Sequence, residues 1–82
     1  MPYHIEFKSR ALKDLKSIPK EMTTQILVKI REMESDLEGD IKRLTNHFPE
    51  YRLRVGNYRI LFGLNDESIL IYRIKHRREA YK

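Results

Sequence analysis

Residues 51–81 read YRLRVGNYRILFGLNDESILIYRIKHRREAY, and this stretch decides the fold. Tyr51, Leu53 and Val55 alternate with Arg52 and Arg54, the period of two that marks a half-buried strand. Gly56-Asn57 supplies a two-residue turn suited to a tight hairpin. Alternation resumes through Tyr58, Ile60, Phe62 and Leu64. With Gly56-Asn57 as the whole loop, Val55 pairs with Tyr58, Arg54 with Arg59, Leu53 with Ile60 and Tyr51 with Phe62. One hairpin face is then apolar and the other carries Arg52, Arg54 and Arg59. Arg54 opposite Arg59 is a like-charge cross-strand pair, unfavourable by an amount comparable to the roughly 0.2–1 kcal/mol of a favourable pair. An anionic ligand that neutralises both is the simplest reason to place them there.

The following strand, Ile69 to Lys75, is apolar in both phases, so its register has two solutions. Pairing Leu64 with Ile69 across a four-residue loop sends Arg73 to the covered face, which is costly for an unpaired charge. The register with Leu70, Tyr72 and Ile74 covered is the more comfortable one, and it is the expectation here. Arg73, Lys75 and Arg77 then join Arg52, Arg54 and Arg59 on one cationic face.

Upstream, Tyr3 to Phe7 alternates Tyr3, Ile5 and Phe7 against His4 and Glu6 and reads as a first strand. Ser9 is expected to cap a short helix over 10–17 with Ala11, Leu12, Leu15 and Ile18 as its apolar stripe. Pro19 separates it from a second helix over 20–37, where Met22, Ile26, Ile30, Met33 and Leu37 share a face. Gly39 is placed to stop that helix. Residues 39–50, GDIKRLTNHFPE, read as a connector whose Ile41, Leu44 and Phe48 turn toward the core. The order strand, helix, helix, then three strands defines one α+β domain over residues 1–82, its helical hairpin packed on one face of a mainly antiparallel sheet.

Eighty-two residues form one small core. No cysteine is present, so disulfides and thiolate metal sites are excluded. MPYHIEFK has no long apolar run, and a cytoplasmic protein without a membrane anchor is expected. The net charge of +5 is uneven: residues 1–41 hold seven Lys/Arg and eight Asp/Glu, residues 42–82 ten and four. A polyanionic partner, most simply nucleic acid, fits that asymmetry, as does a merely solvated basic surface.

Guanidinium forks on a sheet face suit phosphate. No HExxH, CxxC, GxGxxG or Walker sequence occurs, so no motif calls for zinc, dinucleotide or nucleoside triphosphate, and neither a metal nor a cofactor is expected. His4 and His47 read as surface residues. RNA cleavage fits what is present, because RNA supplies its own 2′-hydroxyl nucleophile. The protein must align it, stabilise charge on the phosphorane and move protons. Arginines serve the second need, and His76 and Tyr81 are the candidates for the third.

The pattern YRLRVGNYRILF, an apolar strand, then HRREAY, with DIKRL before it, resembles the RelE/ParE superfamily of toxins from prokaryotic toxin–antitoxin pairs. The resemblance covers nearly the whole chain and is closer to the RelE branch. It implies a metal-independent endoribonuclease that cleaves messenger RNA in the ribosomal A site, with a ribosome and a cognate antitoxin as partners. The ParE branch implies poisoning of DNA gyrase instead, and a catalytically inactive binding relative is the third reading. Carried over, the RelE-type site falls on Arg52 and Arg54, Arg59, Arg77 and Tyr81, with Arg78 interchangeable with Arg77. His76 matches a histidine of several relatives. Where the best-known member has two lysines, this chain has Arg52 and Arg54. Arginine stays charged, so these two belong to binding, with Lys75 and Arg78, rather than to proton transfer. The catalytic set expected is Arg59, Arg77, Tyr81 and His76.

Overall fold

The apolar stripes and alternations combine into two helices on one face of a five-stranded sheet. The computed structural model describes residues 3–80, residue 36 by its backbone alone. In chain order the elements are β1 (His4–Phe7), α1 (Ser9–Lys16), α2 (Lys20–Asp36), β2 (Ile41–Arg43), β3 (Tyr51–Val55), β4 (Tyr58–Asn65) and β5 (Ser68–His76). The sheet runs β1-β5-β4-β3-β2, with β1 parallel to β5 and the other pairs antiparallel. No helix among the described residues is long and apolar enough to cross a membrane.

The hairpin register is the expected one, from Val55 opposite Tyr58 to Tyr51 opposite Phe62. Gly56 turns it at φ 58°, a conformation open to glycine without steric cost. Tyr51 and Phe62 stack with ring centroids 5.5 Å apart. Leu53, Val55, Ile60 and Phe62 meet Ala11 of α1 and Ile26, Ile30 and Met33 of α2 in one buried cluster. Burying each large apolar side chain contributes about 1.5–3 kcal/mol.

The connector holds a strand that the sequence reading left as loop. Ile41–Arg43 pairs antiparallel with β3, Lys42 opposite Arg52. Three residues are too few to show a period of two. Its start is crowded, since a Cβ on Gly39 (φ 131°) would lie 2.8 Å from Leu53 Cδ1. The second helix stops earlier than Gly39, with Leu37 left-handed at φ 59° and its N–H donating to the Met33 carbonyl. The first helix is capped at Lys8, not by the Ser9 side chain. Phe48 stays out of the core: it is 70% exposed and meets Tyr72 edge-on at 5.1 Å.

Neither register expected for β5 holds along its whole length. Leu64 pairs with Ile69, the pairing judged costly, and Phe62 with Ile71. A bulge then shifts the ladder so that Leu61 faces Arg73 and Ile60 faces Ile74. The extra residue changes phase, so Ile69, Ile71 and Ile74 are all buried while Leu70 and Tyr72 are not. Arg73 escapes the covered face.

Candidate functional site

Alternation away from the core puts Arg54, Arg59 and Lys75 on the open face of the sheet, and the registers set them side by side. Arg54 is opposite Arg59, and Arg59 opposite Lys75. The next row reads Lys42, Arg52, Leu61, Arg73 across β2, β3, β4 and β5. Two adjacent rows therefore gather six cations on one surface.

Their partners differ. Arg59 Nη1 donates to the carbonyls of Gly56 and Tyr58, both at 3.1 Å, so the guanidinium is steadied at the hairpin turn. Among the described residues no carboxylate pairs with Arg59, Lys75, Arg77 or Arg78. Arg52 and Arg54 do have one, which the sequence reading missed. Asp40 accepts from Arg52 Nη1 at Oδ1 (3.1 Å) and from Arg54 Nε at Oδ2 (2.6 Å). Arg52 Nη1 also reaches the Asp40 carbonyl at 2.9 Å. Hydrogen bonds from Arg52, then from Arg54, hold the Asp40 carboxyl below the usual carboxylate range.

Arg73 is occupied too. Its Nε and Nη2 form a two-point pair with Asp14 of α1 at 2.8 and 3.0 Å, and the Ile74 N–H donates to the same carboxylate at 2.9 Å. Burial pushes the Asp14 carboxyl up, but the Arg73 and Ile74 hydrogen bonds outweigh it and the net shift is downward. The Arg73 guanidinium is raised mainly by its hydrogen bond to Asp14. Asp14 thereby ties α1 to β5, and Arg73 is not available to a ligand.

The tail is divided. Arg77 and Arg78 are exposed past the end of β5, and the Arg77 N–H donates to the Asn57 carbonyl at 2.7 Å. That bond holds the start of the tail against the hairpin turn, beside the Arg54–Arg59 pair. His76 pairs with Tyr58 in the ladder, in phase with the buried Ile60–Ile74 pair. Its ring meets Tyr58 at 5.5 Å, and its Nδ1 accepts from the Arg78 N–H at 3.3 Å. His76 thus lies in phase with the core row, and it lines a cavity of about 280 Å³ together with Tyr58, Arg73 and Lys75. Tyr81 lies outside the described residues.

This surface has a recognisable kinship. Residues 5–81 match the family described as the ParE toxin of type II toxin–antitoxin systems. The chain is 36% identical to toxin RelE3 of Methanocaldococcus jannaschii over 80 residues, covering 92% of this chain and 91% of that toxin. Among solved structures, it superimposes on a chain of the RelB–RelE antitoxin–toxin complex from Methanococcus jannaschii with a TM-score of 0.76 at 34% identity, covering 89% and 91% of the two chains. A chain of the archaeal RelE–RelB complex from Pyrococcus horikoshii gives 0.78 at 27% identity, covering 98% of this chain and 100% of that one.

Proposed function

The chain belongs to the RelE/ParE superfamily and is a RelE-like toxin of a toxin–antitoxin pair, and from that premise we propose that it is a ribosome-dependent endoribonuclease cleaving messenger RNA in the ribosomal A site. One observation carries this reading: Arg54, Arg59 and Lys75 lie in register across three strands, with Arg52 in the next row. Such a row matches the spaced charges of a nucleic-acid backbone. Arg59 at its centre, without a carboxylate partner among the described residues, is the donor suited to a developing phosphorane charge.

In the proposed mechanism the substrate's 2′-hydroxyl attacks the adjacent phosphorus and the 5′-oxygen leaves. The products are a 2′,3′-cyclic phosphate, which water can then open to a 3′-phosphate, and a 5′-hydroxyl. Arg59 and Arg77 hold the scissile phosphate. Arg52, Arg54, Lys75 and Arg78 bind the flanking backbone. Tyr81 stacks on or orients the nucleotide and assists proton transfer. His76 is assigned to positioning the tail through the Arg78 N–H, not to proton transfer at the row. The proposed partner is a cognate antitoxin, in keeping with the RelB complexes of the solved relatives. Leu27 and Val28 are exposed at a groove of about 490 Å³ that Ile5 and Phe7 also line, a surface suited to an amphipathic antitoxin segment.

Primer extension on a messenger RNA, with and without programmed ribosomes, tests the assignment. Cuts at A-site codons are expected only with ribosomes. Arg59→Ala is expected to lower them by about 100-fold or more. No cuts in either lane from folded protein would overturn the reading, and growth arrest with DNA damage but intact translation would point to gyrase.

A further inference from the structure

The Asp40 carboxylate lies where a ligand's anion belongs. Its two oxygens take one hydrogen bond each from Arg52 and Arg54, as two non-bridging oxygens of a phosphate would. Its main chain is fixed independently, since the Asp40 carbonyl accepts from the Arg54 N–H at 3.0 Å and from Arg52 Nη1. The side chain, by contrast, is 46% exposed, and among the described residues its partners are those two arginines. Rotating it off them would break none of the backbone hydrogen bonds that hold β2 to β3.

We propose that Asp40 is a resident competitor for the phosphate subsite of Arg52 and Arg54, displaced when a substrate phosphate binds. This rests on the reading of the open face as a nucleic-acid surface. Every phosphate must exchange with the carboxylate at this pair, whereas Arg59, which has no carboxylate partner among the described residues, is open to direct contact. Loose polyanions are therefore held weakly. A substrate presented in the correct geometry gains enough contacts at Arg59 and its neighbours to complete the exchange. Asp40 thus acts as a selectivity filter against free nucleic acid.

The test uses the full chain and inorganic pyrophosphate, followed by NMR on the Arg54 Nε–Hε resonance in wild type, Asp40→Asn and Asp66→Asn. Asparagine at 40 keeps an acceptor for Arg52 and removes the charge. Asp66→Asn makes the same change in net charge in the β4–β5 turn, where φ is 54° and asparagine is well tolerated. Asp40→Asn is expected to tighten pyrophosphate binding about three- to tenfold, and Asp66→Asn less than about twofold. Asp40→Ala is expected to repeat the Asp40→Asn result, guarding against a residual asparagine contact. Equal affinities for the two asparagine variants, or weaker binding by Asp40→Asn, would overturn the proposal, the latter making Asp40 a brace. Absence of pyrophosphate shifts at Arg54 in every variant would overturn it too. Primer extension separates the two readings: A-site cleavage without the pyrophosphate ranking rejects only the role of Asp40, and the ranking without cleavage rejects only the ribonuclease.

Discussion

Asp14 and Asp40 both pair with arginines of the sheet, yet they sit in different surroundings and serve different ends. Asp14 is 17% exposed and Arg73 26%, with the Ile74 N–H as a further donor. Asp40 is 46% exposed and Arg54 51%, although Arg52 lies flatter at 12%. Removing a partner from a desolvated pair strands a charge, whereas an exposed carboxylate passes readily to water. The same chemistry therefore makes a structural tie at one end of β5 and a replaceable anion beside β2. Burial, more than bond length, separates them.

The largest effect that sharpens this contrast is expected from Asp14→Ala. Arg73 and the Ile74 N–H lose their acceptor together, at a cost of about 2 kcal/mol. In a domain of this size that lowers the melting temperature by on the order of 10 °C in calorimetry. A shift as small as that of an ordinary surface substitution would erase the distinction between the two carboxylates.

Acid should expose the same tie more gradually. Its hydrogen bonds hold the folded pKa of Asp14 below the ordinary aspartate value of 3.8. Its contribution is therefore fully present above that unfolded value and is lost as pH falls through the lower folded one. Melting curves of wild type and Asp14→Asn are expected to differ at pH 6 and to converge in acid, at pH below the ordinary 3.8. A gap unchanged into that acid range would show that charge is not the source of the tie.

The smallest thermal effect is expected at Asp40. Asp40→Asn should melt within about 2 °C of wild type, as exposed pairs contribute little. A fall matching that of Asp14→Ala would make Asp40 a structural tie as well. On the open row, Lys75→Ala should weaken binding of a non-cleavable RNA oligonucleotide severalfold and reduce the salt slope by about one ion, without altering melting. An unchanged slope would remove Lys75 from the phosphate-contacting row.

The hairpin and its cationic face were legible because alternation and a two-residue loop leave one pairing. Arg54 opposite Arg59 follows from counting outward from Gly56-Asn57, and the ladder agrees. β5 was less legible, since ILIYRI is apolar in both phases and a bulge rather than a uniform register resolves it. β2 was hidden by its three-residue length. The partners of the arginines were hidden for another reason: Asp14 is 59 positions from Arg73, and Asp40 is 12 and 14 from Arg52 and Arg54.

By itself the sequence determined both helices and four of the five strands, how β3 and β4 pair, and that arginines gather on the side away from the apolar stripes. Those properties depend on local periodicity and loop length, which the chain carries residue by residue. Only the tertiary structure decided which cations are engaged: Asp14 takes Arg73, Asp40 covers Arg52 and Arg54, and among the described residues Arg59 and Lys75 have no carboxylate partner. An ion pair forms where two distant segments meet, and its desolvation is set by whatever packs around it, so neither is written in the local pattern.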